Sequence, residues 1–299
     1  MYFPLLLIEI ILHPFINLVK FSGIVYLNFF EFIFTLKILH FNKCLVNANL
    51  TVSTSGNSGM TKYNIENLKN ISSKNKNILV KKVFSDVYKD YDLMNDIMSF
   101  GFHRVWKKQI FELISPSAND TFLDLAGGSG DISKLICKKF PNNKCILVDS
   151  NKKMIEIAKG KLSGTSIKFK CASAEKLPFR NKEFNFIIVA FGLRNFTDMK
   201  LSLKEIFRVL KKNGSFICLE FSEVNNSVTK KMFEAYLNLI PFLGKIFVNN
   251  YDAYKYLAES IKIFPNQIEL TKLINNSGFN KVDCFDLLDG IASIHIGVK

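Results

Sequence analysis

The chain has 299 residues and a mass of 34.2 kDa, room for one α/β core plus an N-terminal extension. Forty Lys and Arg against 26 Asp and Glu leave a net charge of +14, yet only four of the forty are Arg. Base readout and bidentate phosphate recognition favour Arg, so no nucleic-acid partner is expected; a diffuse Lys surface suits solvent or an anionic membrane. The six cysteines form no CxxC pair and no His stands at a zinc-ligand spacing, so no metal is expected.

Residues 1–47 are apolar and aromatic. The run Phe21 to Leu36 is nearly continuous, interrupted by Asn28 and Glu31. It is slightly short for a membrane-spanning helix, which needs roughly 20 residues. Arg is absent, unlike an Arg-rich amphipathic transit peptide. Organelle targeting, a secretory-type or anchor segment, and initiation at Met60 all stay open. Residues 48–77 are rich in Ser, Asn and Lys, too polar to order themselves, and read as a disordered linker. The folded domain is then expected over 78–299.

The domain begins helically. Val83, Phe84, Val87, Tyr91, Met94, Ile97 and Met98 recur at helical spacing. After Pro116 short apolar runs alternate with amphipathic stretches. Strands are predicted at Thr121–Ala126, Lys144–Asp149, Ser166–Lys170, Phe184–Ala190 and Ser215–Phe221, with helices at 131–140, 151–161 and 198–211. That series makes a parallel α/β sheet with helices on both faces. The end differs: Cys284–Leu288 and Ile291–Val298 flank Asp289–Gly290, a hairpin turn. A mostly parallel, Rossmann-like sheet closed by an antiparallel hairpin is the class I S-adenosylmethionine-dependent methyltransferase arrangement.

The run Asp124-Leu125-Ala126-Gly127-Gly128-Ser129-Gly130-Asp131 follows the first strand and opens the first helix. Glycines there let a ligand approach the backbone. A dinucleotide fingerprint wants a third glycine where Ser133 stands. The pattern instead suits S-adenosyl-L-methionine, with Asp124 facing its ammonium and Gly128, Ser129 and Gly130 forming the cradle. Asp149, ending the second strand, can accept both ribose hydroxyls. The segment Cys171-Ala172-Ser173-Ala174 after the third strand can bond the adenine edge through the small polar Ser173 and the backbone of its neighbour Ala174. The competing readings are a capping role for Asp124 and a turn role for Asp149.

The stretch Tyr91-Asp92-Leu93-Met94-Asn95-Asp96-Ile97-Met98-Ser99-Phe100-Gly101-Phe102-His103-Arg104-Val105-Trp106 resembles the signature of the ubiquinone/menaquinone biosynthesis C-methyltransferase family. Phe191-Gly192-Leu193-Arg194-Asn195, Glu259-Ser260-Ile261 with Pro265 and Gln267, and the ending Gly290-Ile291 with His295, Gly297 and Lys299 do the same. The resemblance runs unbroken over about residues 80–299. It implies a mitochondrial-type 2-methoxy-6-polyprenyl-1,4-benzoquinol methylase that moves methyl from S-adenosyl-L-methionine to a ring carbon. It places cofactor contacts at Ser129, Asp149, Ser173 and Ala174. Ser129, Ser173, Ala190 and the loop Lys211-Lys212-Asn213-Gly214 depart from the residues usual in the family. The implied setting is peripheral, on the matrix face of the mitochondrial inner membrane, within a multi-enzyme ubiquinone-synthesis complex; a homodimer stays open.

Methylation of a ring carbon needs an ionised ring hydroxyl, and a phenol has a reference pKa of about 10. Arg194 and Asn195 follow the fourth strand on the carboxyl edge where open α/β sheets bind ligands. The resemblance makes them the catalytic candidates, Arg194 stabilising phenolate and orienting a water. The alternative ties Arg194 to Asp198 or another carboxylate. Tyr91, Asn95, His103 and Trp106 either close over the substrate or pack a capping helix. His295 reads as structural. The apolar segment from Phe233 to Phe247 is a buried helix and turn or, given the resemblance, a prenyl groove. Other readings are a demethylmenaquinol or different small-molecule methyltransferase, and a non-catalytic scaffold of the quinone-synthesis complex.

Overall fold

The structure, a computed structural model, describes residues 71–299 apart from Phe100, together with Leu68. The chain divides into units 1–59 and 60–299, and every described residue belongs to the second. The expected segment 1–47 and nearly all of the expected linker lie outside the described residues.

The first helix, α1 (Ser73–Val87), starts five residues before the expected boundary. Ser72 supplies the reason: its hydroxyl accepts from the Asn75 amide, an N-cap that composition alone conceals. Leu79, Val83 and Val87, spaced four apart, bury one stripe of α1. Helices α2 (Tyr91–Ser99) and α3 (His103–Gln109) follow.

Seven strands then build one sheet: β1 (Thr121–Leu125), β2 (Lys144–Asp149), β3 (Lys168–Cys171), β4 (Phe184–Ala190), β5 (Leu210–Phe221), β6 (Lys281–Leu287) and β7 (Ala292–Val298). Their spatial order is β3-β2-β1-β4-β5-β7-β6. Pairings among β1 to β5 are parallel, and β7 runs antiparallel to both neighbours, β5 and β6. Helices α4 (Asp131–Lys139), α5 (Lys152–Lys161) and α6 (Met199–Val209) make the crossovers. The central strands bury Phe122, Leu123, Leu147, Val148, Ile187, Ile188 and Phe216 to Leu219 completely or nearly so. Such unbroken apolar runs belong to a sheet covered on both faces.

One strand is longer than the sequence predicts. Lys211 to Gly214, expected as a loop, sits inside β5 as an irregularity: Phe184 pairs with Leu210, while Phe186 pairs with Ser215. Asn213 takes a left-handed conformation there, φ 61°, and its amide donates to the Lys299 carbonyl.

Three helices lie between β5 and the hairpin: α7 (Ser227–Val248), α8 (Tyr251–Lys262) and α9 (Gln267–Asn275). The segment read as a buried helix or prenyl groove is the single helix α7. Phe233, Tyr236, Leu237 and Ile240 are consumed by packing, and the Tyr236 hydroxyl donates to the Ile97 carbonyl on α2. Gly244 lets α8 approach: a Cβ there would stand 2.2 Å from Cγ of the fully buried Tyr254. Gly244→Ala is therefore expected to destabilise the domain by about 1–3 kcal/mol. A urea-denaturation midpoint equal to or above that of the wild type would show that α7 and α8 have slack.

Candidate active site

The cleft lies where the strand order turns, at the carboxyl ends of β1 and β4. Its lining comes from Val80, Lys81 and Phe84 on α1, Tyr91 on α2, Ala126 and Gly128 after β1, Asp149 to Asn151 with Met154 after β2, and Phe191, Gly192, Asn195 and Phe196 after β4. Open α/β sheets hold ligands at this switch point. Two non-glycine residues at the strand ends, Ala126 (φ 57°) and Phe191 (φ 58°), are left-handed. Strain of this kind collects at functional sites. Their loops touch: a Cβ on Gly192 would lie 2.7 Å from the Ala126 Cβ.

Asp149 is the best-anchored group in the cleft. Its Oδ2 accepts from the Gly128 amide at 3.0 Å and its Oδ1 from the Asn151 amide at 2.8 Å. Each carboxylate oxygen can accept two hydrogen bonds and here takes one from the protein, so one lone pair on each stays available. Burial raises its pKa, and the two amides oppose that rise.

Of the residues the sequence singles out, the structure brings Gly128, Asp149 and Asn195 into the cleft lining, with Tyr91 above them. It places the others elsewhere. Asp124 is turned beneath the loop, where Oδ2 accepts from the Ser133 amide at 2.9 Å and the Ser133 hydroxyl at 2.6 Å. Gly130 has no side chain to cap α4, so Asp124 caps it from β1. Ser129 is buried and donates to Asp92 at 3.1 Å. Gly130 allows α5 to pack, since a Cβ would meet the Leu162 side chain at 2.5 Å. Ser173 donates to Glu175, and Ala174 sits in the apolar core. Neither reaches the cleft, because Glu175 turns away to accept from the Thr197 and Asp198 amides.

Arg194 also departs from expectation. It is 6% exposed and is not among the residues that line the cleft. Its Nη1 donates to Glu220 Oε1 at 2.5 Å and to the Phe191 carbonyl at 2.8 Å. Glu220, at the end of β5, is wholly buried and also accepts from the Arg194 and Phe221 amides. Of the carboxylates the alternative reading allows, Asp198 caps α6 and Glu220 takes Arg194. The Arg194 charge still acts on Tyr91: burial pushes that phenol up, and Asn95 and Arg194 oppose the shift.

The sequence gives no local sign of Glu220 beyond a lone carboxylate in the apolar run Phe216 to Phe221. It gives none of Tyr256, whose hydroxyl donates to Asn195 Oδ1 at 3.0 Å. His103 and Trp106 are packing residues. His103 pairs with Asp96 at 2.9 Å, and Trp106 stacks on Phe102 near Phe191 and Phe221. His295 is buried in β7 with Nε2 on the Gln267 carbonyl. No cluster of three or more His, Cys, Asp or Glu with metal-site geometry occurs among the described residues.

Residues 70–299 match the ubiE/COQ5 methyltransferase family. The chain belongs to that family. It is therefore a S-adenosylmethionine-dependent methyltransferase. Two relatives from the ubiE/COQ5 group are named "Ubiquinone/menaquinone biosynthesis C-methyltransferase UbiE". The one from Rickettsia bellii is 44% identical over 240 residues, covering 77% of this chain and 96% of its own. The one from Rickettsia prowazekii is 42% identical with the same coverage. Solved S-adenosylmethionine-dependent methyltransferases share the fold. One from Thermotoga maritima superposes with a TM-score of 0.53 at 19% identity over 74% of this chain and 99% of its own. One from Aquifex aeolicus gives 0.50 at 13% identity over 71% and 96%.

The loop chemistry fits that methyl donor. Glycines pass where a side chain would block the cleft: a Cβ on Gly128 would meet Tyr91 at 3.2 Å. The Asp149 carboxylate matches a vicinal diol.

Asp124 carries a further consequence. Burial raises its carboxyl to about 6, with Ser133 and Lys107 pulling the other way. A carboxyl whose folded pKa lies above its unfolded value contributes stability below about pH 4 and loses it as pH rises through about 6. Asp124→Asn keeps an acceptor for Ser133 and does not titrate. The stability difference, variant minus wild type, should therefore become more positive between pH 4 and 7 in cofactor-free protein. A difference independent of pH, followed by thermal unfolding, would contradict the buried charge.

Proposed function

We propose that this enzyme transfers methyl from S-adenosyl-L-methionine to a ring carbon of 2-methoxy-6-polyprenyl-1,4-benzoquinol, in ubiquinone biosynthesis. The supporting observation is the juxtaposition, in one cleft, of the Asp149 carboxylate and the Asn195 carboxamide from the loop that resembles the quinol-methylase signature. The ubiquinone/menaquinone names of the relatives support a quinol substrate.

Bound S-adenosyl-L-methionine supplies an electrophilic methyl group. Asp149 would hold its ribose hydroxyls through the remaining lone pairs, and Gly128 would leave the backbone open to it. Phe191, Gly192 and Phe196 give an apolar wall for the ring and exclude water. Asn195 donates to the ring oxygen that ionises, so negative charge is met by a fixed dipole where it develops. Arg194, held by Glu220, adds a positive field from behind that wall and fixes the loop bearing Asn195. Guanidinium, with a pKa above 12, is not itself the base. The hydroxyl proton passes to water, and the sulfur departs as the thioether S-adenosylhomocysteine when the carbon–carbon bond forms. The methylated ring carbon then releases its proton to water as aromaticity returns.

The setting we propose is the matrix face of the mitochondrial inner membrane, as a peripheral protein in a quinone-synthesis assembly. A lipid substrate, the Lys-rich charge and the apolar residues 1–47 support it. Among the described residues no helix is long and apolar enough to cross a membrane. A reporter carrying residues 1–77 should move to mitochondria; a diffuse cytosolic signal would remove the targeting reading.

Purified enzyme with methyl-labelled S-adenosyl-L-methionine and short-tailed quinols tests the chemistry. The expected product is the ring-methylated benzoquinol. Label appearing only in menaquinol formed from demethylmenaquinol would move the assignment to menaquinone, and label in neither product would overturn it.

A further inference from the structure

Asn195 is the one residue of the Leu193–Asn195 turn that lines the cleft. Tyr256, carried on α8 and 1% exposed, donates its hydroxyl proton to Asn195 Oδ1 at 3.0 Å. A carboxamide offers acceptors on one arm and donors on the other. With the oxygen held towards α8, the nitrogen is left to the cleft, and no described residue accepts a hydrogen bond from it.

We propose that Tyr256 is a positioning residue that locks the Asn195 carboxamide with its nitrogen facing the cleft, where it donates to the ionising oxygen of the ring substrate. This rests on the reading that a phenolic ring is methylated here. The chemistry is directional. A carboxamide turned by half a revolution would present its carbonyl oxygen to a developing phenolate, replacing attraction by repulsion. After such a turn the Tyr256 oxygen could still accept from the nitrogen, but its own buried proton would lose the acceptor it has at Asn195 Oδ1, and that cost holds the amide in place. Nη1 of Arg194 is held by Glu220 and the Phe191 carbonyl, and the Asn195 backbone amide donates to the Gly192 carbonyl.

Tyr256 suits the task. Burial pushes its phenol well above the ordinary range, Arg194 opposing and Glu220 assisting, so it remains a proton donor wherever the enzyme works. Its helix is also fixed: Asn250 caps α8 by accepting from Ala253, and Tyr254 packs against Gly244. The clamp therefore ties the catalytic loop to an element that lies 61 residues further along the chain.

The test uses the full enzyme, with Tyr256→Phe, Asn195→Ala and the double variant. Tyr256→Phe preserves the ring that fills the site and removes only the hydroxyl. It should lower kcat about tenfold with little change in KM or in the affinity for S-adenosyl-L-methionine. It should also move the alkaline rise of kcat up by about one pH unit, because the phenolate is less well stabilised. In the Asn195→Ala background the same substitution should change neither quantity. A direct readout needs no substrate: the side-chain amide pair of Asn195 in a nitrogen-15 spectrum should shift in Tyr256→Phe. Unchanged amide resonances would overturn the clamp. Shifted resonances with unmoved kcat and pH profile would overturn its role in positioning, as would an equal loss of kcat in the Asn195→Ala background. Wild-type turnover decides the functional reading separately; if the wild type methylates neither quinol, that reading falls and the amide spectrum still decides the clamp.

Discussion

Glu220→Ala should destabilise the domain by about 3–5 kcal/mol, the usual cost of leaving a buried ion uncompensated. For a unit of this size that is a fall in Tm of about 6–20 °C. The substitution strands the Arg194 guanidinium, whose Nη1 would keep only the Phe191 carbonyl and whose Nε has no partner even in the intact protein. It also removes the acceptor for the Arg194 and Phe221 amides. A buried ion pair is nevertheless weak evidence of net stability, because both charges lose water, and burial raises the Glu220 carboxyl despite the adjacent Arg194. Replacing both residues by apolar ones, Glu220→Leu with Arg194→Met, should therefore recover most of the lost Tm. Activity should not return with it. Arg194→Ala alone should lower single-turnover methylation about 10²–10³-fold while cofactor affinity stays nearly constant, and Arg194→Lys should restore only part, since a lysine cannot bridge Glu220 and Phe191 with one planar group. A double variant with wild-type turnover would reduce the pair to a structural tie. A Glu220→Ala Tm within 2 °C of wild type would show that the guanidinium finds other partners.

Local order was legible in the sequence where one physical signal dominated. Lys144–Asp149 and Phe184–Ala190 are strands with the boundaries their apolar runs indicate, and the terminal hairpin follows from Asp289–Gly290. The fold class follows from the alternation of such runs. What failed depends on partners far away in the chain. The Lys211-Lys212-Asn213-Gly214 stretch reads as a loop, yet pairing on either side of it draws it into β5. Asp124 reads as a ligand group because it sits at the right strand end; the structure uses it as a cap because Gly130, needed for packing against Leu162, cannot cap its own helix. Arg194 stands on the predicted loop, and the sequence leaves its carboxylate partner open between Asp198 and another. The partner is set by β5 lying beside β4, which brings Glu220 against that loop. Tyr256 is beyond any spacing argument, since only the packing of α8 brings it to Asn195. The residues of the adenine segment failed differently. Ser173 and Glu175 satisfy one another, a pairing the sequence contains but does not rank above ligand binding.

The second large effect concerns Asp149. Asp149→Ala should weaken binding of S-adenosyl-L-methionine by about 10²-fold, roughly 2.7 kcal/mol. Two hydrogen bonds from ribose hydroxyls to an ionised carboxylate, each worth about 1.5–3 kcal/mol, set the upper side of that range. The loss of the Gly128 anchor adds to it, because Oδ2 holds the amide of the residue that must leave space for the ligand. Asp149→Asn is not a mild substitute. Both oxygens of Asp149 face amide donors, Gly128 on one side and Asn151 on the other. One arm of the asparagine would therefore point a donor at a donor and push the turn away. It should bind nearly as weakly as the alanine variant. Protonation supplies an independent signature. Burial raises the Asp149 carboxyl, and only its ionised form accepts both hydroxyls. Affinity should thus fall on acidification at a pH above the ordinary aspartate range of about 3.9, and the Asn variant should lack that dependence. Calorimetric titration of the three proteins across pH 5–8 measures this. Equal affinities would remove Asp149 from the donor site, and a pH dependence shared by Asp149→Asn would assign the titration to a different group.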